Sequence, residues 1–307
     1  MQRMLQWWQI QDGKLKPCAT GEGQVAVYIN PDEAERKHLI LDLKADEHTL
    51  SSALDPDELA RVEFEPEHAA IIIKRPKNYS AADNFLFKVA SLGLLVFKDR
   101  LVLIVNEDTP LFEGRQFQKI NSIHDIVLRL IYRSIYHFLE HLKVINMCSE
   151  QLEKEVNTAM ENRHLLNLFT LEKSLVYYLN AISSNGRVIE RLRVNAPRFG
   201  FTTENLELLD DIAIENSQCF EQAQIYSQVL SGLMDARVSV VSNNLNVLIK
   251  RLNIIMIALM LPTLWIGFFS MNLPIPFQHE VATFWVVVLV AAACAVGVSV
   301  VLQRRQW

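Results

Sequence analysis

Two sets of residues in this chain have types and spacings that could do chemistry. The first is Asn246, Ile249, Asn253, Met256, Met260, Thr263 and Gly267, which follow one another at steps of 3, 4, 3, 4, 3 and 4, with Ser270 at the next step and Met271-Asn272 just beyond. Steps of this kind place them on one heptad seam of a helix. The seam carries uncharged amides and a hydroxyl among apolar side chains, and two readings stand side by side. Asn253 and Thr263 can be interhelical hydrogen-bond glue in a packed membrane bundle, or the seam can line a pore in which amides alternate with apolar rings. The second set is His137-Phe-Leu-Glu140-His141, the H-x-x-E-H pattern in which two histidines on one helical face bind zinc beside a catalytic glutamate. It sits inside a long amphipathic stretch without a recognisable third-ligand segment, so the expectation is a solvated helix face and no enzyme.

The elements that must position the seam are read from charge and hydropathy. Between Leu252 and His279 there is no Asp, Glu, Lys or Arg. One apolar span ends at Ser270-Met271-Asn272, a Pro-containing loop follows, and a second span runs from about Val281 to Leu302. Each is long enough, at about 20 helical residues, to cross a hydrocarbon core of roughly 30 Å. Lys250 and Arg251 precede the first span, Arg304 and Arg305 follow the second, and the loop from Leu273 to Glu280 holds no Lys or Arg. By the positive-inside rule both ends are cytoplasmic and the loop is external. The membrane lipid is therefore one partner, and the 250 residues before the first span are expected in the cytoplasm.

Composition fits a large soluble part with a small membrane part. The chain is 307 residues long, 50% hydrophobic, 21% charged and of net charge −5, with a mean hydropathy of +0.12, too low for a chain that lives mostly in lipid. The first residues carry no apolar core long enough for a signal peptide. The four cysteines, Cys18, Cys148, Cys219 and Cys294, are scattered without a C-x-x-C pair, so they read as reduced thiols with no zinc knuckle. No phosphate-cradling glycine loop is present, which leaves nucleotide binding little support. Nothing points to nucleic acid.

Upstream of the spans the texture changes twice. Short β-rich runs, Val25–Ile29, Leu39–Leu43, Val62–Phe64, Ala70–Ile73, Leu86–Val89, Leu94–Phe97 and Leu101–Val105, predict a small mixed sheet, with a short helix over Thr49–Ala60. From Ser122-Ile-His-Asp125, a capping signal, an amphipathic helix runs past Lys154 through Ile126, Leu130, Ile131, Ile135, Phe138, Leu142 and Ile145. A second helix covers roughly Arg163 to Leu192 and breaks at Asn195-Ala-Pro197-Arg-Phe-Gly200. A third begins near Thr202-Thr203, and nothing stops it before the membrane. Continued to Asn272 it would be on the order of 100 Å long, and a helix of that length needs partners along it, so subunits bundled around an axis are expected.

Val229-Leu-Ser-Gly-Leu-Met-Asp235, Ser242-Asn-Asn-Leu-Asn246, Pro262-Thr263, Gly267 and Met271-Asn272 resemble the CorA superfamily of divalent-cation transporters, two-helix membrane proteins with a Gly-x-Asn signature. The resemblance implies a funnel-shaped homopentamer in the inner membrane. Residues 1–120 would form a cytoplasmic α/β domain of αβα type, an α+β fold class; 121–202 helices packed on a stalk; 203–251 the stalk helix; 252–272 the pore-lining membrane helix; 273–280 the external loop; 281–302 the outer membrane helix; and 303–307 a basic cytoplasmic tail.

The resemblance also implies roles. Asn272 would hold a hydrated cation at the outer mouth, where neutral oxygens suit Mg²⁺, an ion that gives up water reluctantly. Ser270 stands where the family usually has Gly, and Leu273-Pro-Ile-Pro276 replaces its usual loop; both departures resemble a divergent branch such as ZntB or CmaX. Asn246, Thr263 and Gly267 would face the pore and Ile249, Leu252 and Met260 would form its hydrophobic gate, so that the whole seam, Asn246, Ile249, Asn253, Met256, Met260, Thr263 and Gly267, would take its pore-lining reading. Asp235 would bind a regulatory cation. The implied function is transport of Mg²⁺, Zn²⁺, Co²⁺ or Ni²⁺, with these ions as substrate and no resident cofactor; the alternative is a membrane sensor or scaffold that has lost selective transport.

Overall fold

The computed structural model describes residues 5–19, 21–158, 162–270 and 281–304. The chain divides into two compact units, Met1–Leu233 and Met234–Trp307.

The first unit is built on a seven-stranded sheet: β1 (Leu5–Gln11), β2 (Lys14–Cys18), β3 (Val25–Ile29), β4 (Arg61–Phe64), β5 (Ala69–Pro76), β6 (Val89–Val96) and β7 (Leu101–Val105), in the order β2-β1-β3-β7-β6-β5-β4. Only the central pair β3 and β7 is parallel, with Val27 opposite Leu103. The period of two along each strand sorts side chains to opposite faces. Val25, Val27, Ile71, Ile73, Leu92, Leu94, Leu101 and Leu103 share one core with the helices α3 (Ile123–Thr158) and α4 (Asn162–Val194). Ala26, Tyr28, Ala70, Leu95, Val102 and Ile104 share the other with α1 (Glu33–Leu41) and α2 (Glu47–Leu54). The sheet is thus covered by helices on both faces, an αβα arrangement.

Local chemistry sets several of these boundaries, and it corrects the strand expected at Leu39–Leu43. Asp32 and Glu35 form a capping box, the Asp32 carboxylate accepting from the Glu35 N–H at 2.8 Å and the Glu35 carboxylate from the Asp32 N–H at 3.0 Å. A helix launched there carries Leu39 into the core at full burial, overriding the β-like texture of the apolar run. The strand expected at Leu86–Val89 is not formed, since Leu86, Phe87 and Lys88 lie in the loop before β6, and the strand expected at Leu94–Phe97 is the second half of β6. Strand β6 stays unbroken through Gly93, where a Cβ would lie 2.5 Å from that of Ala53 on α2; the missing side chain lets the helix seat on the sheet. The helix expected over Thr49–Ala60 starts on the Asp46 cap and ends at Leu54. The hairpin of β1 and β2 lacks clean alternation and went unread in the sequence.

The α3 cap is as expected, with the Asp125 N–H donating to Ser122 Oγ at 3.1 Å. After α4, the one-turn helix α5 (Ala196–Phe199) closes on Gly200 at φ +70°, a left-handed conformation that glycine takes without a Cβ clash. The long helix α6 (Thr203–Phe269) is continuous through Pro262. Its first part buries Leu209, Ile212, Asn216, Cys219, Ala223 and Leu230, an inward stripe at heptad-like steps. In the second unit the rest of α6 is followed by α7 (Val281–Arg304). Both helices are long and apolar enough to cross a membrane.

Candidate functional site

Asn246, Ile249, Leu252, Asn253, Met256, Met260, Thr263, Gly267 and Ser270 all lie on α6 or at its end, and every one is exposed. For the large apolar members this is pronounced: Met260 is 73% exposed and Leu252 58%. Met271 and Asn272 lie outside the described residues.

The less exposed positions of the same stretch are Ile254, Ala258, Pro262, Trp265 and Phe269. At roughly 100° per residue they centre about 180° around the helix from the seam. Helix α7 accounts for the adjoining face: a groove of about 400 Å³ is lined by Leu261, Leu264, Trp265 and Phe268 of α6 and by Cys294, Gly297 and Val298 of α7. No seam residue lines that groove. Residues on this part of α7, which no motif singled out, thus take one side of α6 and leave the seam uncovered.

The hydroxyls on the seam are polarised in one sense. Thr263 Oγ1 donates to the Leu259 carbonyl at 2.7 Å, and Ser270 Oγ donates to the Gly267 carbonyl at 2.9 Å. A hydroxyl whose proton is committed to its own helix has only lone pairs left for other partners. Both therefore act outward as acceptors, the polarity that suits a cation or the protons of its hydration water. At Gly267 a Cβ would meet nothing within 4 Å, so no neighbouring atom of the chain demands a glycine there.

The other singled-out residues lie elsewhere. Asp235 is exposed near the start of the second unit, its carbonyl accepting from Ser239 Oγ at 3.0 Å. His137 and His141 are not the solvated face expected for them. His141 is only 8% exposed, its Nδ1 lies 2.6 Å from the Tyr178 hydroxyl, and its ring centroid is 4.4 Å from that of His137. Burial, with the neighbouring His141, Arg133 and Arg75 adding to it, pushes His137 down to about 4, and burial pushes His141 down to about 4. Glu140, between them in sequence, is exposed. Among the described residues no three His, Cys, Asp or Glu side chains are grouped to hold a metal.

The CorA-like Mg²⁺ transporter protein family model matches residues 26–305, and the chain belongs to that family. It is 24% identical over 274 residues to the cobalt/magnesium transport protein CorA of Methanocaldococcus jannaschii, covering 84% of this chain and 83% of that protein. The complete structure of the CorA magnesium transporter from that organism superposes at a TM-score of 0.81 with 18% identity, over 99% of this chain and 98% of the other. Full-length CmaX superposes at 0.71 with 14% identity, over 100% and 99%. The ZntB cytoplasmic domain of Vibrio parahaemolyticus superposes at 0.62 with 14% identity, over 79% of this chain and 100% of that domain. The fold is CorA-like: a mixed-sheet domain, a long helix and two apolar C-terminal helices, in a membrane protein.

Proposed function

We propose that this protein transports divalent metal cations across the inner membrane as a homopentamer, with the α6 seam facing the common axis and both termini in the cytoplasm. The observation that carries the reading is the seam itself. Its described residues are all exposed, it lies away from the α7 groove, and its hydroxyls are turned to present acceptors.

In this reading Asn272, Met271 and Ser270 surround the outer mouth. Asn246, Asn253, Met256, Thr263 and Gly267 line the path, and Ile249, Leu252 and Met260 narrow it to a constriction that blocks ions by dewetting when closed. Uncharged acceptors can hold a hydration shell without stripping it, which suits Mg²⁺; the hydrated ions of Zn²⁺, Co²⁺ and Ni²⁺, softer metals of the same charge, pass by the same oxygens. The name of the M. jannaschii relative, a cobalt/magnesium transport protein, supports Co²⁺ and Mg²⁺ within that range. Lipid covers the outer faces of α6 and α7. Asp235 serves as a ligand for a regulatory cation between neighbouring subunits. The chemistry is confined to dehydration, passage and gating, with no covalent step.

The test is divalent-cation flux into liposomes holding the purified protein, with Mg²⁺, Zn²⁺, Co²⁺ and Ni²⁺ compared for the unaltered chain and Asn272→Ala. Flux above empty liposomes that changes with the substitution supports transport through this mouth. An intact oligomer that passes none of the ions under opposing ion and pH gradients overturns it in favour of a sensor or scaffold.

A further inference from the structure

His137 and Glu140 line a cavity of about 540 Å³ in the sheet-and-helix unit, together with Arg75 from β5 and Arg133 from α3. Leu92 and Leu130 contribute apolar surface to the same cavity. Its volume falls within the range of small-molecule sites, which pair an apolar lining with a few convergent polar groups.

The cationic groups are held in place by the fold. The Arg75 side chain is 5% exposed, and its Nη2 donates to Glu107 Oε1 at 3.1 Å and to Thr109 Oγ1 at 3.2 Å. Its Nη1 donates to the Pro76 carbonyl at 3.4 Å, which leaves one Nη1 proton for a further partner, and its Nε is buried without a hydrogen-bond partner. A buried N–H of a charged group left without an acceptor is a costly exception in a folded protein. Arg133 is fixed by donating to the carbonyls of Glu113 and Pro110, so both guanidiniums are set before any ligand arrives. The carboxylate beside Arg75, Glu107, is shared with Lys77 at 3.3 Å. That leaves the cavity with more fixed positive than negative charge, and Glu140 as an exposed carboxylate on its lining.

We propose that this cavity binds a small organic anion through a carboxylate or phosphate group held by Arg75 and Arg133, with His137 as an imidazole hydrogen-bond partner. Guanidinium groups favour this class because their N–H pairs match the oxygens of carboxylate and phosphate. A metal cation is the wrong occupant for two fixed guanidiniums. The site is separate from the membrane seam in sequence and in unit, and it stands whether or not the seam conducts.

The experiment is calorimetric titration of the full-length protein in detergent, in a buffer free of phosphate and carboxylates, with inorganic phosphate and with citrate as probes. Saturable binding of either is expected, and the stronger probe identifies the preferred group. Arg133→Gln and His137→Gln should each weaken it roughly tenfold. Glu140→Gln should tighten it severalfold, because the repelling carboxylate is gone. That gain cannot come from misfolding, so it separates a binding role from a structural one. Absence of saturable binding by both probes overturns the proposal, as does binding that is indifferent to all three substitutions.

Discussion

Histidines at positions 137 and 141 should give the stability of the first unit a pH dependence. Both are held at about 4, below the ordinary 6.5, chiefly because burial penalises the charged ring. The unfolded chain therefore takes up these protons first as pH falls, while the folded chain resists until near 4. Stability is full above about 6.5 and is lost progressively between the two values. Thermal unfolding followed by circular dichroism should show the midpoint falling by several degrees over that window, and His141→Gln should flatten the fall. Asn185 makes a second residue-level device. Its side chain accepts from the Lys74 N–H at 2.8 Å and donates to the Lys74 carbonyl at 2.8 Å, pinning α4 to β5. Asn185→Ala strands two buried backbone groups, so chemical denaturation should show a loss of roughly 2–4 kcal/mol. If Ser270 stands at the proposed mouth, Ser270→Gly removes a side chain there, and liposome flux should then shift severalfold toward Mg²⁺ over Zn²⁺.

At the scale of elements, the helices were far more legible in the sequence than the sheet. Residues such as Leu130, Phe138 and Leu142 repeat at helical steps over many turns, and the buried stripe of α3 contains them all. Strands give short signals that compete with their flanks, and a local cap won at Asp32. Asp32→Ala removes that cap and should cost about 1 kcal/mol in the same unfolding measurement. The use of Gly93 in β6, seating α2, needs a tertiary neighbour that no local pattern reveals. The seam was legible for the same reason as the helices, since its spacing is local. What the sequence withheld was the direction of the seam hydroxyls, which depends on backbone carbonyls one turn away, and the burial of His141, which depends on Tyr178 from another helix. Arg75 and Arg133 escaped notice because residues far apart in the chain meet only in the folded unit.

The whole molecule combines an αβα unit, a unit with two apolar helices long enough to cross a membrane, and membership of a family whose model matches residues 26–305. Transport as proposed requires that the α6 seam line the path of the cation. Thiol chemistry on a flux assay tests this most directly. In a chain whose four native cysteines are replaced, Met260→Cys places a thiol on the seam and Ala258→Cys places one on the opposite, less exposed side of the same helix. A water-soluble thiol reagent should abolish divalent-cation flux into liposomes through Met260→Cys and leave flux through Ala258→Cys nearly unchanged. Equal block of the two variants, or block of Ala258→Cys alone, would contradict the seam as the conduction path.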